Sequence, residues 1–440
     1  MKITVIGLGY LGATHAVAMA ELGHEVIGIE ANPDRLRDLQ NGTVPFFEPG
    51  LDEALQKVIA DGNITFKAQH DESSLDADLH FLCVGTPQLP GSYAANTQYL
   101  RDAVKDLAPY LREDAVVAGK STVPVGTAAE LTALLAAEAG FEPHLAWNPE
   151  FLREGTALED SLRPDRIVIG VNDARSEELL REVYRPITDL GTPFLVIDIP
   201  TAELVKVAAN SFLATKISFI NAMAEVAEVA GADAVQLAEA IGYDERIGNK
   251  FLRNGIGFGG GCLPKDIRAF MARAEELGVG QAVDFLADID AVNLRRRDRV
   301  VDIAKNELGE LAGKKILVLG AAFKPNSDDL RDSPAIAIAK LLKVAGATVV
   351  VHDPISLENV QKQHPDLTTE HSVEAAAAGS HAIVLATEWQ QYRELDPAAI
   401  GAHVTNKLLI EGRNALPVDK WQAAGWRVIA LGRNLEAATK

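Results

Sequence analysis

Apolar residues near the start of the chain come in short dense runs separated by glycine. Residues 3–6 form one run and 25–29 another, with a helical stretch between them that reaches residue 22. Strand, helix and strand in that order predict a βαβ unit. Further runs at 79–84, 115–119, 144–147 and 166–169 predict more strands alternating with helices, hence a parallel sheet covered on both faces. From residue 201 to about residue 230 neither Pro nor Gly occurs, and apolar positions recur at helical spacing. That predicts one helix longer than usual, of the kind that joins domains or forms a subunit interface. Helical patterns continue over 232–241, 265–277 and 284–308. Near Gly313 the alternation resumes, with strands over 315–319, 348–352, 381–386, 408–410 and 427–430 and a helix over 334–345. The predicted fold class is α/β: two Rossmann-like, doubly wound domains joined by a long central helix and a helical middle domain. The expected divisions are 1–198, 199–310 and 311–440.

The first strand-to-helix turn reads Gly7-Leu8-Gly9-Tyr10-Leu11-Gly12. In such a turn the first glycine permits the tight bend, the second admits a pyrophosphate and the third lets helix and strand pack closely. Glu30, at the end of the second strand, suits both ribose hydroxyls of NAD and repels a 2′-phosphate; Arg35 is the cation nearby that could favour one. Val84-Gly85-Thr86-Pro87 and Ser121-Thr122-Val123-Pro124-Val125-Gly126-Thr127 each follow a strand, on the edge where open α/β sheets bind ligands. Either could equally be a turn punctuated by Gly and Pro.

A second kind of chemistry sits at Gly257-Phe258-Gly259-Gly260-Gly261-Cys262-Leu263-Pro264-Lys265-Asp266. Pro264 fits a first helical turn, which puts Cys262 just before a helix N-terminus. Unpaired N–H groups and the helix dipole there favour a thiolate nucleophile. The alternative is a small packed hydrophobe beside a flexible loop, the reading that also suits Cys83. Glu150 follows a strand and Pro149, with Glu154 four residues on. Lys206 and Asn210 share an otherwise apolar helical stripe. They are either satisfied structural groups or paired donors for an oxyanion. In the second α/β half, Leu319-Gly320-Ala321-Ala322 lacks the dinucleotide pattern, while Lys324, Arg331 and Arg413 offer cations for a different anion.

Length and charge narrow the classes. A chain of 440 residues exceeds one ordinary core. A net charge of −20 argues against a nucleic-acid or anionic-membrane partner. Two cysteines make no disulfide framework, and the chain runs from Met1 straight into a strand pattern. A reduced cytoplasmic setting without a signal peptide or membrane span is therefore expected.

Taken together, these segments resemble the UDP-glucose 6-dehydrogenase family over essentially the whole chain. The resemblance also runs through Asn148-Pro149-Glu150-Phe151-Leu152-Arg153-Glu154-Gly155, Ile217-Ser218-Phe219-Ile220-Asn221, Arg246-Ile247-Gly248, Phe323-Lys324-Pro325 and Thr387-Glu388-Trp389. It implies an NAD-dependent, four-electron oxidation of UDP-glucose to UDP-glucuronate through a thiohemiacetal and a thioester on Cys262. Lys206, Asn210, Asp266 and Thr122 would surround the reaction, and Glu150 would be the base for hydrolysis. The group that takes the first hydroxyl proton stays open between Lys206 and a water held by Asp266. NAD would contact Gly7, Gly9, Tyr10, Leu11, Gly12, Glu30, Arg35, Gly85, Thr86, Pro87, Ser121, Thr122, Glu154, Lys265 and Arg331. The nucleotide sugar would meet Glu150, Phe151, Leu152, Arg153, Glu154, Lys206, Asn210, Phe251, Gly257, Phe258, Gly259, Gly260, Cys262, Phe323, Lys324 and Arg413. Arg246 would reach substrate from a neighbouring subunit, in a homodimer built on the central helix. No metal is implied. Glu30 and Glu411 stand where the family usually has Asp. GDP-mannose or UDP-N-acetylmannosamine are the alternative substrates. A binding regulator without catalysis and a one-step hydroxyacid dehydrogenase are the competing readings.

Overall fold

The computed structural model describes residues 1–435, so positions 436–440 of the expected 311–440 segment lie outside the described residues. The chain divides into two units, Met1–Ala209 with Ala272–Gly280, and Asn210–Met271 with Gln281–Lys440.

The first unit is built on eight strands: β1 (Lys2–Ile6), β2 (Glu25–Ile29), β3 (Ile64–Lys67), β4 (Leu79–Leu82), β5 (Val116–Gly119), β6 (His144–Trp147), β7 (Ile167–Gly170) and β8 (Phe194–Ile197). Their spatial order is β3-β2-β1-β4-β5-β6-β7-β8, so the winding reverses between β1 and β4. That is the switch point at which doubly wound sheets bind ligands. The apolar alternation explains the two faces. Ile3 and Val5 enter one core with Ala13, Val17 and Phe81, while Ile6 enters another with Ile27, Leu82 and Val117.

Two expectations change here. The sheet is not parallel throughout: β6 meets β7 antiparallel, through the single pair Trp147–Gly170. The sequence pattern also passes over β3 and β8, which are edge strands. Apart from Ile64 their residues are partly buried or exposed, so they lack the dense apolar run of a central strand.

Among the described residues the second unit holds six parallel strands: β9 (Lys315–Leu319), β10 (Thr348–His352), β11 (Thr368–Thr369), β12 (Ala382–Leu385), β13 (Leu408–Glu411) and β14 (Arg427–Ala430). Their order, β11-β10-β9-β12-β13-β14, again reverses between the first and fourth strands. The turn after β9 bends at Gly320, with φ +111°. Asp353, just after β10, fills that turn. Its Oδ2 accepts the N–H groups of Ala321 and Ala322 at 2.8 and 3.1 Å and the Trp389 indole at 3.1 Å. Its Oδ1 accepts those of Ile355 and Ser356 at 3.0 and 2.9 Å.

Helix Ile199–Ala230, 32 residues long, runs out of the first unit and into the second. In the second unit, helix Phe285–Leu308 buries Val300, Val301, Ile303 and Ala304 against Ile316 and Val318 of β9. Among the described residues no helix is long and apolar enough to cross a membrane.

Candidate active site

The glycine turn is shaped as its sequence demands. Gly7 has φ +86°, a conformation open to glycine, and its N–H bonds Ile29 O at 2.8 Å. A Cβ on Gly12 would lie 1.9 Å from Gly7 O, whereas one on Gly9 would meet nothing within 4 Å. Packing therefore dictates the third glycine and not the second, as a bound group at Gly9 would require. Helix Tyr10–Glu21 starts there with no side-chain cap, so its first N–H groups remain available to an anion. Glu30 is buried beside the turn. Its Oε2 accepts Leu8 N–H at 2.9 Å and its Oε1 accepts Asn32 N–H at 2.8 Å. Each oxygen keeps a lone pair for a ribose hydroxyl. These residues fit NAD. Arg35 is exposed in helix Pro33–Gln40, its backbone N–H tied to Asn32.

The loops after β4 and β5 are laced together. Thr86 donates its hydroxyl to Thr122 O at 2.7 Å, and Ser121 donates to Val84 O at 2.6 Å. Gly85 and Pro87 flank Thr86. Tyr10 donates to Glu48, whose carboxylate also accepts the N–H groups of Gly155 and Ala157 at 2.6 and 2.7 Å. Burial, reinforced by Glu48, holds the Tyr10 phenol well above its usual range. Glu48 thus fixes the peptide that follows Glu154. Glu48 has no prominence in the sequence, because its role is visible only from Tyr10, Gly155 and Ala157, partners 38 or more positions away.

Beyond β6, Glu150 pairs with Lys206 at 3.0 Å and accepts Leu152 N–H at 2.7 Å. Phe151 lies under two cations, Arg166 at 3.9 Å and Lys206 at 5.5 Å from its centroid. Lys206 is almost fully buried, and so is Asn210 one helical turn on. Arg153 turns to Asp160, donating from Nε at 2.9 Å.

In the second unit, the Cys262 carbonyl accepts Asp266 N–H at 2.9 Å, so Cys262 caps helix Leu263–Glu276. Cys262 is exposed, whereas Cys83 is buried and burial pushes its thiol up to about 12. One turn into that helix, Asp266 is buried and accepts from Asn210 Nδ2 at 2.6 Å and Lys265 Nζ at 2.6 Å. The glycine loop before Cys262 has no room for side chains. A Cβ on Gly257 would lie 2.4 Å from Asn293 Oδ1, on Gly259 2.4 Å from Asp332 O, on Gly260 2.8 Å from the Phe323 ring and on Gly261 2.2 Å from the Arg331 guanidinium. Asn293 grips the loop at two points, accepting Phe258 N–H at 2.7 Å and donating to Phe258 O at 3.0 Å. This clamp also escapes a sequence reading.

Arg413 reaches the same loop. It donates to Gly257 O at 2.9 Å, Ala386 O at 2.7 Å and Phe323 O at 3.1 Å. Glu411 is buried beside it, and burial pushes its carboxyl up to about 7. The Arg331 guanidinium bonds Asp329 through Nε at 2.9 Å. The Lys324 ammonium lies 5.5 Å from the Phe323 centroid. Of the other expected substrate residues in this unit, Arg246 is exposed and forked on Asp244, and Phe251 is exposed at φ +64°.

A doubly wound sheet with a glycine turn, a buried carboxylate beside that turn and, elsewhere in the chain, an exposed helix-capping cysteine defines the class of dinucleotide-dependent oxidoreductases. Comparison with known proteins takes this further. Residues 1–188, 200–295 and 317–418 match the NAD binding, central and UDP binding domains of the UDP-glucose/GDP-mannose dehydrogenase family. The chain belongs to that family and is an NAD-dependent oxidoreductase. It is 39% identical to UDP-glucose 6-dehydrogenase YwqF of Bacillus subtilis, over 98% of both chains. It is similar to the solved structure of a UDP-glucose dehydrogenase from Pyrobaculum islandicum, with 37% identity, a TM-score of 0.88 and coverage of 97% of this chain and 98% of that one. A UDP-D-ManNAc dehydrogenase from Pyrococcus horikoshii is 26% identical with a TM-score of 0.83, covering 98% of this chain and 99% of that one.

Proposed function

We propose that this protein oxidises UDP-glucose to UDP-glucuronate in two NAD-dependent steps, through a covalent adduct on Cys262. One observation carries the reading: an exposed cysteine capping a helix, with the buried Asn210–Asp266 pair one turn further on. The relatives named as UDP-glucose 6-dehydrogenases at 39% identity, against 26% for the UDP-D-ManNAc enzyme, favour glucose as the sugar.

Bound NAD would supply the oxidant, taking one hydride in each oxidation, and Lys206 or a water held by Asp266 would take the C6 hydroxyl proton of the first. Gly7, Gly9, Tyr10, Leu11, Gly12, Glu30, Gly85, Thr86, Pro87, Ser121 and Thr122 hold it in this reading, with Arg35, Glu154, Lys265 and Arg331 at its margins. The chain's own groups do the rest. The Cys262 thiolate adds to the C6 aldehyde, forming the C–S bond of a thiohemiacetal. Loss of the second hydride leaves a thioester. Lys206 and Asn210 donate to the oxyanions formed along the way. Glu150 takes a proton from the water that cleaves the thioester, which returns the thiol and releases the carboxylate. Phe151, Leu152, Arg153, Phe251, the 257–260 loop, Phe323, Lys324 and Arg413 receive the nucleotide sugar. In this assignment 1–198 binds NAD, 199–310 carries the cysteine and 311–440 binds the UDP moiety.

The test is stoichiometric. Two NADH per UDP-glucose consumed are expected; one NADH with an aldehyde product overturns the covalent route.

We also infer a homodimer through the central helix, in the cytoplasm, where an exposed thiol stays reduced. Phe212, Phe219 and Val226 are spaced by seven residues on that helix and are 66, 48 and 60% exposed, an apolar stripe suited to a second copy. Arg246, 89% exposed at its side chain, is available to the neighbouring subunit. Sedimentation of the wild type should give a dimer that Phe219→Lys weakens; a monomeric wild type sinks the proposal.

A further inference from the structure

A lysine ammonium buried among neutral groups is costly unless every donor is satisfied. Lys120, the residue after β5, is such a group. Its Nζ donates to Asn148 Oδ1 at 2.9 Å, to the Tyr184 hydroxyl at 3.2 Å and to Asn148 O at 3.5 Å. The Phe81 and Tyr184 ring centroids lie 5.5 and 5.8 Å away. Among the described residues no carboxylate is hydrogen-bonded to it. The titratable groups whose fields reach it are Cys83, Glu150 and His15, and burial pushes its ammonium down to about 8.

The group Lys120 holds is itself fully committed. Asn148 donates its N–H to Gly119 O at 2.7 Å and its Nδ2 to Val168 O at 2.8 Å, and its Oδ1 also accepts the Tyr184 hydroxyl at 2.6 Å. It thereby ties β5 to β7 across the end of β6. This is where the sheet's own ladder is thinnest, since β6 and β7 share one register pair. A side-chain knot replaces the missing backbone bonds. The next residue, Pro149, has no N–H to offer, and the one after it is Glu150, paired with Lys206. Lys120 also precedes Ser121 and Thr122, which lace the β5 loop to the β4 loop.

We propose that Lys120 is a positioning residue: it fixes the strand end from which Glu150 is presented to Lys206. This rests on the role given above to Glu150. A purely structural lysine would be replaceable by a hydrophobe of similar length, often with a gain in stability. A positioning lysine would not be, because the strand end would lose its anchor.

The test is a double-mutant cycle on the full-length protein, with UDP-glucose and NAD as substrates. Lys120→Met should fold with an unfolding temperature equal to or above that of the wild type and bind NAD unchanged. Its kcat should fall by about ten- to a hundredfold, the scale of an ångström-sized misplacement. In a Glu150→Gln background the same substitution should cost less than about twofold, because the group it positions is already disabled. Tyr184→Phe keeps the ring, removes one hydroxyl and should follow the same pattern at about threefold. If Glu150→Gln alone keeps wild-type turnover, the reading of Glu150 fails and this inference with it. If Glu150→Gln is crippled but Lys120→Met costs nothing, or costs the same factor in both backgrounds, the Lys120 inference alone is overturned.

Discussion

Cys262→Ser will bind NAD and nucleotide sugar yet form no carboxylate, with turnover to the acid down at least about a thousandfold. The reason lies in where the residue sits. Exposed Cys262 stands immediately before helix Leu263–Glu276, and its sulfur is the nucleophile that would trap the aldehyde. An alcohol at the same place stays protonated near neutrality and adds poorly to an aldehyde. The geometry around it survives the change: the Asp266 N–H still meets a backbone carbonyl, and Asn210 and Lys265 still hold Asp266. Binding and folding should therefore be spared while chemistry is lost. The measurements are isothermal titration with each ligand and chromatographic detection of UDP-glucuronate. Acid production near the wild-type rate would remove the covalent step from the mechanism.

Lys206→Ala is expected to lower kcat by about 10²–10³-fold, the usual scale for deleting one donor to a developing oxyanion. Lys206 is almost fully buried, and its ammonium is 3.0 Å from Glu150. The substitution therefore removes a positive charge and strips a partly buried carboxylate of its counterion. Lys206→Arg should recover little, because a planar fork cannot take the place of a compact ammonium wedged between a carboxylate and the Phe151 ring. The affinity for NAD should stay within about twofold of wild type, since Lys206 is outside the glycine turn. Stopped-flow NADH formation separates the two oxidations. If Lys206→Ala turns over within about threefold of wild type, the oxyanion role is wrong.

What the sequence made legible, and what it hid, follows from the range of the forces involved. Gly7, Gly9, Gly12 and Glu30 could be read because a tight turn imposes its demands within a few residues. The long helix could be read because its apolar spacing persists over many turns without a breaker. Cys262 as a helix cap followed from Pro264, though Lys265 to Asn210 through Asp266 is a contact no spacing reveals. Glu48 and Lys120 were passed over. Each draws its meaning from partners far along the chain, and a lone Glu or Lys looks like a solvated surface group until its burial is known. The reversal of β7 escaped for a related reason, since a short apolar run carries no mark of strand direction.

Asp353 has a consequence for how many cofactor molecules one chain can take. Both sheets wind in the same order and both turn at a glycine with positive φ, so by topology alone the molecule has two places for an adenosine ribose. In the second, a carboxylate with five donors already occupies the turn. That turn is filled by its own side chain, so of the two glycine turns the first alone pairs with a carboxylate that keeps lone pairs for an adenosine ribose. A competitor built on the adenosine ribose is thus expected to act at the first sheet's glycine turn and not at that of the second.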